Sequence, residues 1–343
     1  MNPLLSFIVA TARESVGSII GQPDWHLLEP TLKSLAAQRS QNFELVVVDS
    51  LFRQRTLAEE IDALGKWPFP WRVATPDSWW LEQGMWALQN AFNRGYQAST
   101  GRYLYFCGDC CEFPAHTTLL AQSLIEAGFS PHLLYVYKMS DRLRVNGERH
   151  FQTSPWSSVP EALCAGADFR RHVSCDSRWP YTDDLGGFCP PARIGWNSIH
   201  GYACVKREDF AHVNGFDENF DGDKSLGDIE LGSRLHLAGR WTGCLSTSLY
   251  VYEHHHERIS ERVFPNCQTL PPVRSNYDLI HLMREREVWR ANSTQWSEED
   301  CQRVICAEIT ALPDWPHRRG QNDERSLPYQ RHWIEHQPVF DLG

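Results

Sequence analysis

The 343-residue sequence lacks any apolar run long enough to span a bilayer, so a helical membrane protein is not expected. It also lacks a secretory leader. Met1-Asn2-Pro3 runs into a short apolar stretch with no basic segment before it, and a cytoplasmic protein is the expectation. Positive charge is scarce: 33 Lys and Arg stand against 43 Asp and Glu, a net charge of −10. That balance weighs against a surface built to track nucleic-acid phosphates, although a local basic patch stays open. The 11 cysteines are an odd number without framework-like spacing, so they are read as mostly reduced. No G-x-G-x-x-G and no P-loop lysine follows the first strand-like run, which argues against dinucleotide and ATP-phosphate sites. Without a secretion signal, the sequon Asn292-Ser293-Thr294 is assigned no role.

What is present is an ordinary globular composition, 42% apolar and 22% charged. Leu4–Thr11 and Phe43–Asp49 are continuous apolar runs of strand length, as expected for strands buried on both faces of a parallel sheet. Helical stripes follow each, Leu28, Leu32 and Leu35 after the first and Leu57, Ile61 and Leu64 after the second. Trp71–Thr75, Tyr103–Cys107 and His132–Lys138 read as further strands, with helices over Leu81–Ser99 and Thr117–Ala127. This alternation predicts βαβ units and a doubly wound, mainly parallel sheet. Ligands bind such sheets at the carboxyl ends of the strands. Thr11, Asp49 and Asp109 each fall at or just past such an end and are expected to cluster, although strand-terminal capping accounts equally well for Thr11 and Asp49.

The richest stretch runs from His200 to Gly239. Lys206–Asn214 reads as a short helix with Phe210 and Val213 on one face, ended by Gly215. A second helix is expected from about Ser225, with Leu231, Leu235 and Ala238 on its buried stripe. Asp228 then sits at a helix N-terminus, where the dipole keeps a carboxylate ionised, as suits a general base acting on a hydroxyl. Ser225-Leu226-Gly227-Asp228 equally fits a capping box, in which Asp228 only satisfies backbone N–H groups.

GYACVKREDFAHVNGFDENF…GDIELGSRL resembles the C-terminal half of the catalytic domain of GT-A glycosyltransferases, family 2 enzymes and β-1,4-galactosyltransferases in particular. Arg207-Glu208, Phe210, Val213, Gly215-Phe216-Asp217-Glu218, Asp228, Glu230-Leu231 and Arg234-Leu235 match that pattern. Gly227 stands where the family has the Glu of a Glu-Asp pair, and the role of catalytic base passes by resemblance to Asp228. In the amino-terminal half, SFIVATARE, ELVVVDS and NRGYQASTGRYLYF are similar to the nucleotide-sugar-binding segments of family 2. The resemblance implies that Thr11 and Arg13 lie near the nucleotide. It also implies that Asp49 accepts from uracil or ribose and that Asn93 helps hold the donor.

The family's Asp-x-Asp metal motif is broken here. Within Cys107-Gly108-Asp109-Cys110-Cys111-Glu112 one acid, Asp109, falls inside it. Hard Mn²⁺ or Mg²⁺ prefers oxygen ligands, so an ion would need help from Glu112 or from histidines. The resemblance places a metal-binding His after the Thr247–Tyr252 strand, which makes His254 and His256 the candidates beside Asp109. A rival reading takes Cys107-x-x-Cys110-Cys111 as a soft zinc or redox site, although one CxxC supplies too few ligands.

Asp141–Ile199 has little periodicity, and in a transferase it would form acceptor or donor loops, with Trp156, Trp179 and Trp196 available to stack on sugars. Ser275–Asn292 and Ser297–Leu312 read as amphipathic helices. The expectation is therefore a GT-A domain over residues 1–260, with a nucleotide-sugar-binding half (1–140) and an acceptor and catalytic half (141–260). A helical C-terminal extension over 261–343 completes the chain. The expected activity is inverting transfer from a UDP-sugar to a hydroxyl of a glycan or other acceptor. The alternatives are a degenerate GT-A domain that binds without catalysis and a nucleotidyltransferase, which would need a glycine-rich basic loop that the sequence does not have.

Overall fold

The computed structural model describes residues 2–138, 173–175, 187–194, 202–222, 226–254, 256–257, 264, 266, 276–306, 324–338 and 341–342. Trp156, Trp179, Trp196, Ser225 and His255 lie outside the described residues.

Strands β1 (Leu5–Thr11), β2 (Phe43–Asp49), β3 (Trp71–Ala74) and β4 (Tyr103–Gly108) pair in parallel, and β10 (Ala203–Lys206) adds to β4 in the antiparallel sense. The resulting order is β10-β4-β1-β2-β3. Every residue of β1 and β2 is buried, as runs without polar alternation require in a sheet covered on both faces. The expected α/β class with a mainly parallel sheet is the one the chain adopts. Around this sheet lie β5 (Cys111–Glu112), β6 (Ser130–Pro131), β7 (Leu134–Lys138), β8 (Val173–Cys175), β9 (Phe188–Cys189), β11 (Gly243–Ser246) and β12 (Tyr250–His254). They form two smaller sheets, ordered β6-β11-β9 and β5-β12-β7-β8.

Two apolar layers sandwich the main sheet. On one side Leu28, just before helix α1 (Glu29–Ala36), Leu32 and Leu35 within it, and Ile61 of α2 (Leu57–Leu64) pack with Phe7, Val9, Phe43 and Val47. On the other, Ala91 and Phe92 pack with Ile8, Val46, Val48, Phe106, Phe210 and Phe216. Gly95 sits where a Cβ would fall 2.2 Å from Ile8 Cγ2, so glycine is what lets its helix lie against β1.

The helix expected over Leu81–Ser99 is two helices, α3 (Trp79–Glu82) and α4 (Leu88–Ala98). The break has a long-range cause. Asp221 accepts from the backbone N–H groups of Gln89 (2.8 Å) and Asn90 (3.0 Å), capping α4 from over 130 residues away. Further along come α5 (Thr117–Glu126), α6 (Pro191–Ile194), α7 (Arg207–His212) and α8 (Gly227–Leu237). The described C-terminal residues include α9 (Asn276–Glu285), α10 (Glu298–Cys306) and α11 (Leu327–Glu335). Leu279, Met283, Val304 and Trp333 of these helices share a core with Trp80, Met85 and Phe220. No helix among the described residues is long and apolar enough to cross a membrane.

Candidate active site at the strand ends

The strand order reverses direction between β1 and β4, and a crevice opens beyond the carboxyl ends of strands at such a point. Register places Thr11 opposite Asp49, and Ala10 opposite Gly108, one residue before Asp109. The expected cluster forms. The Thr11 hydroxyl donates to Asp109 Oδ2 at 2.8 Å, and the Arg13 guanidinium pairs with Asp109 Oδ1. Arg55 grips Asp49 with two parallel bonds, Nε to Oδ2 at 2.9 Å and Nη2 to Oδ1 at 2.6 Å, and also donates to the Arg13 carbonyl at 2.8 Å. Two buried carboxylates and two guanidiniums are thus joined in one network. Burial disfavours the charge on Arg13, yet Asp109 beside it holds its pKa above the ordinary arginine value. Asp49 also caps the following turn, accepting from Leu51 N–H at 2.9 Å.

Asp228 lies in the first turn of α8. That helix starts at Gly227, two residues later than expected, after Leu226 in the left-handed region (φ 78°). The capping-box alternative turns on Ser225, which lies outside the described residues; Asp228 Oδ1 accepts from its neighbour Ile229 N–H at 2.9 Å. Gly227 packs directly on α4, where a Cβ would fall 1.9 Å from Gln89 Nε2. A side chain at that position would require the Gln89 amide to swing aside. Helix α4 returns from the end of β3 to the start of β4, so its first turn marks the carboxyl edge of the sheet, and Asp228 sits beside that turn. Ala12 and Leu51, from the loops after β1 and β2, pack with Leu81, Trp86 and Phe264 at the same edge.

Asn93 goes elsewhere than the other donor candidates. It is fully buried, donates to the Phe216 carbonyl (3.0 Å) and Glu218 Oε1 (2.9 Å), and accepts from Phe216 N–H (2.9 Å). Its amide fastens α4 to the turn before α8. Burial raises the pKa of Glu218, against the bonds donated by Asn90 and Asn93.

The expected metal set does not assemble. His254, the last residue of β12, has Nε2 2.9 Å from Glu112 Oε2, whereas His256 lies beyond the strand with Nε2 2.9 Å from Glu253 Oε1. Both oxygens of Asp109 are engaged by Thr11 and Arg13. Among the described residues no three His, Cys, Asp or Glu side chains converge as an ion would require. Cys107, Cys110 and Cys111 are buried, and burial pushes all three thiols up. A thiolate zinc or redox site is therefore disfavoured.

Sequence reasoning missed Arg55 and the part played by the C-terminal segment. Arg55 follows β2 by six residues in a loop without periodicity, so only its proximity in space marks it. Asn292 (φ 52°) accepts from Glu218 N–H at 3.0 Å and donates to the Phe216 carbonyl at 3.2 Å, while Ala291 and Leu342 bond to Val213 and Asn214. The amide of the sequon asparagine is thus buried and engaged, and it holds the Phe216–Glu218 turn. Asn292→Ala leaves the Glu218 N–H without that acceptor, while the Phe216 carbonyl keeps Asn93, and is expected to cost about 1 kcal/mol, read as a fall in the urea midpoint at unchanged m.

No family model matches the sequence, and no protein of curated function matches it. Solved structures similar to this chain include residues 1–349 of S. aureus TarS with UDP-GlcNAc, at 16% identity and TM-score 0.49, covering 88% of this chain and 70% of that one. The same TarS fragment with UDP matches at 16% identity and TM-score 0.45, covering 88% and 69%. A longer form of S. aureus TarS matches at 14% identity and TM-score 0.41, covering 88% and 42%. At such identities no residue role passes from those chains to this one.

Proposed function

We propose that the chain is an inverting glycosyltransferase that moves a sugar from a UDP-sugar to an acceptor hydroxyl. The observation that carries this reading is the Thr11–Arg13–Asp49–Arg55–Asp109 network in the crevice where the strand order reverses, with Asp228 beside the same edge. In this reading Asp49 recognises the uracil or ribose, with Thr11 close to the nucleotide. Asn93 supports the site through the Phe216–Glu218 turn. Asp228 takes the proton of the acceptor hydroxyl, whose oxygen attacks the anomeric carbon as the bond to the diphosphate oxygen breaks on the opposite face. The sugar leaves with inverted configuration and UDP is released. Arg13 and Arg55, each matched by a carboxylate, hold Asp109 and Asp49 in place at this edge.

No step is routed through Mn²⁺ or Mg²⁺, because no three candidate ligands converge at Asp109 among the described residues. A single catalytic domain over residues 1–260, with a helical extension over 261–343, is part of the same proposal, as is a cytoplasmic site of action.

The test is calorimetric titration of UDP, ADP and GDP into wild type and Asp49→Asn, each with Mn²⁺ and with EDTA. UDP is expected to bind selectively, its isotherms with Mn²⁺ and with EDTA are expected to agree, and the variant is expected to lose at least about tenfold in affinity, roughly 1.4 kcal/mol. Absence of binding by all three nucleotides would remove the reading. The second reading, a domain that binds nucleotide-sugar without turnover, is favoured by the glycine at position 227, where the family pattern has an acid. Slow release of UDP from a UDP-sugar in the absence of acceptor separates the two, since a pure binder releases none.

A further inference from the structure

A pocket of about 350 Å³ opens beside α1, walled by Trp25, Glu29, Pro30, Lys33, Ser34 and Glu112. This lies at the lower end of the ~300–1,000 Å³ range of small-molecule sites, room for one ring rather than a chain. Its wall combines an indole that is 37% exposed with two carboxylates, an ammonium and a hydroxyl. His254 meets the indole tilted by 60° at 6.1 Å, so the imidazole does not stack on the indole face.

The pocket is tied to the candidate active site. Glu112 follows Asp109 by three residues and pairs with His254, whose backbone N–H donates to the Cys110 carbonyl at 2.9 Å. Glu29 and Lys33 belong to α1, which begins at the carboxyl edge of the sheet after β1, and the two pair with each other. Lys33 is matched by Glu29 and Glu112 by His254, so the wall offers phosphate no unmatched cation. The nucleotide diphosphate is thereby directed elsewhere. What fits an apolar aromatic wall edged by hydrogen-bonding groups of both kinds is a neutral ring with C–H bonds on its faces and hydroxyls on its rim. The C–H groups carry slight positive charge and meet the negative face of the indole.

We infer that the Trp25 pocket is a saccharide subsite, seating one neutral pyranose ring of the acceptor. Its assignment to the acceptor rests on the glycosyl-transfer reading above.

The experiment is ¹⁹F NMR of the full chain carrying 5-fluorotryptophan, with the Trp25 resonance identified by its absence in Trp25→Phe. The probes are methyl β-glucopyranoside, methyl N-acetyl-β-glucosaminide, inorganic phosphate and UDP. At least one glycoside is expected to shift the Trp25 resonance saturably, and Glu112→Ala, altered at a partly exposed position, is expected to weaken that response at least tenfold. No shift with either glycoside, an equal shift with phosphate, or an unchanged response in Glu112→Ala overturns the subsite. The UDP arm keeps the two readings apart. UDP binding with a silent Trp25 resonance sinks the subsite alone. A saturable glycoside shift without UDP binding keeps the saccharide site and removes the transferase.

Discussion

Asp228→Asn is expected to lower sugar transfer by about 10²–10⁴-fold, the usual contribution of a general base, with UDP affinity unchanged. Asparagine keeps the side-chain oxygen that accepts from Ile229 N–H, so helix α8 should start at the same residue. Only the ability to take a proton is removed. If Asp228 were a helix cap and nothing more, the variant would transfer sugar at the wild-type rate, and that result would end its assignment as the base. Rates measured with saturating donor over a range of acceptor concentrations make the distinction sharper. Loss of a base lowers kcat, whereas displacement of an acceptor loop raises KM.

The largest effect on stability is expected at Arg234. Its guanidinium pairs with Glu230 and donates to the Val213 carbonyl at 2.6 Å, with both side chains almost wholly buried. Arg234→Met leaves Glu230 enclosed without a partner, and removing one member of a buried pair costs about 3–5 kcal/mol. Urea unfolding at pH 7.5 measures it. Burial already pushes Glu230 up to about 7, against the pull of Arg234. The folded state therefore holds this proton more tightly than the unfolded chain, whose value is near 4.5. The contribution of the group to stability is complete below that value and is lost as pH rises through about 7. The variant, with only the weaker pull of Arg284 left to favour the carboxylate, should be worst above pH 7 and recover as the pH falls towards 5. A variant equally unstable at both pH values would place the damage in packing, not charge.

Much of the fold was legible in the chain. Leu4–Thr11 and Phe43–Asp49 announce strands buried on both faces because they contain no alternation, and the leucine stripes after them can only be helices packed on such a sheet. Asp109 was marked by its place just past a strand, and Asp228 by its place in the first turn of an apolar-periodic helix. The break between Glu82 and Leu88 was hidden, since the group that caps the second helix, Asp221, lies more than 130 residues away. Periodicity cannot register such a partner.

The metal set shows the same limit. Alternation along a strand predicts His254 and His256 side by side, but β12 stops at His254, and each imidazole meets a different carboxylate. By itself the sequence determined the parallel sheet, the edge at which its polar residues gather, and Asp228 at a helix start, because these follow from local pattern and strand burial. Tertiary structure alone decided that Arg13 rather than a cluster of histidines faces Asp109, that Arg55 holds Asp49, and that Asn292 braces the turn before α8. Those pairings join residues tens of positions apart, or sit in loops without periodicity, and only the folded packing brings them within bonding distance.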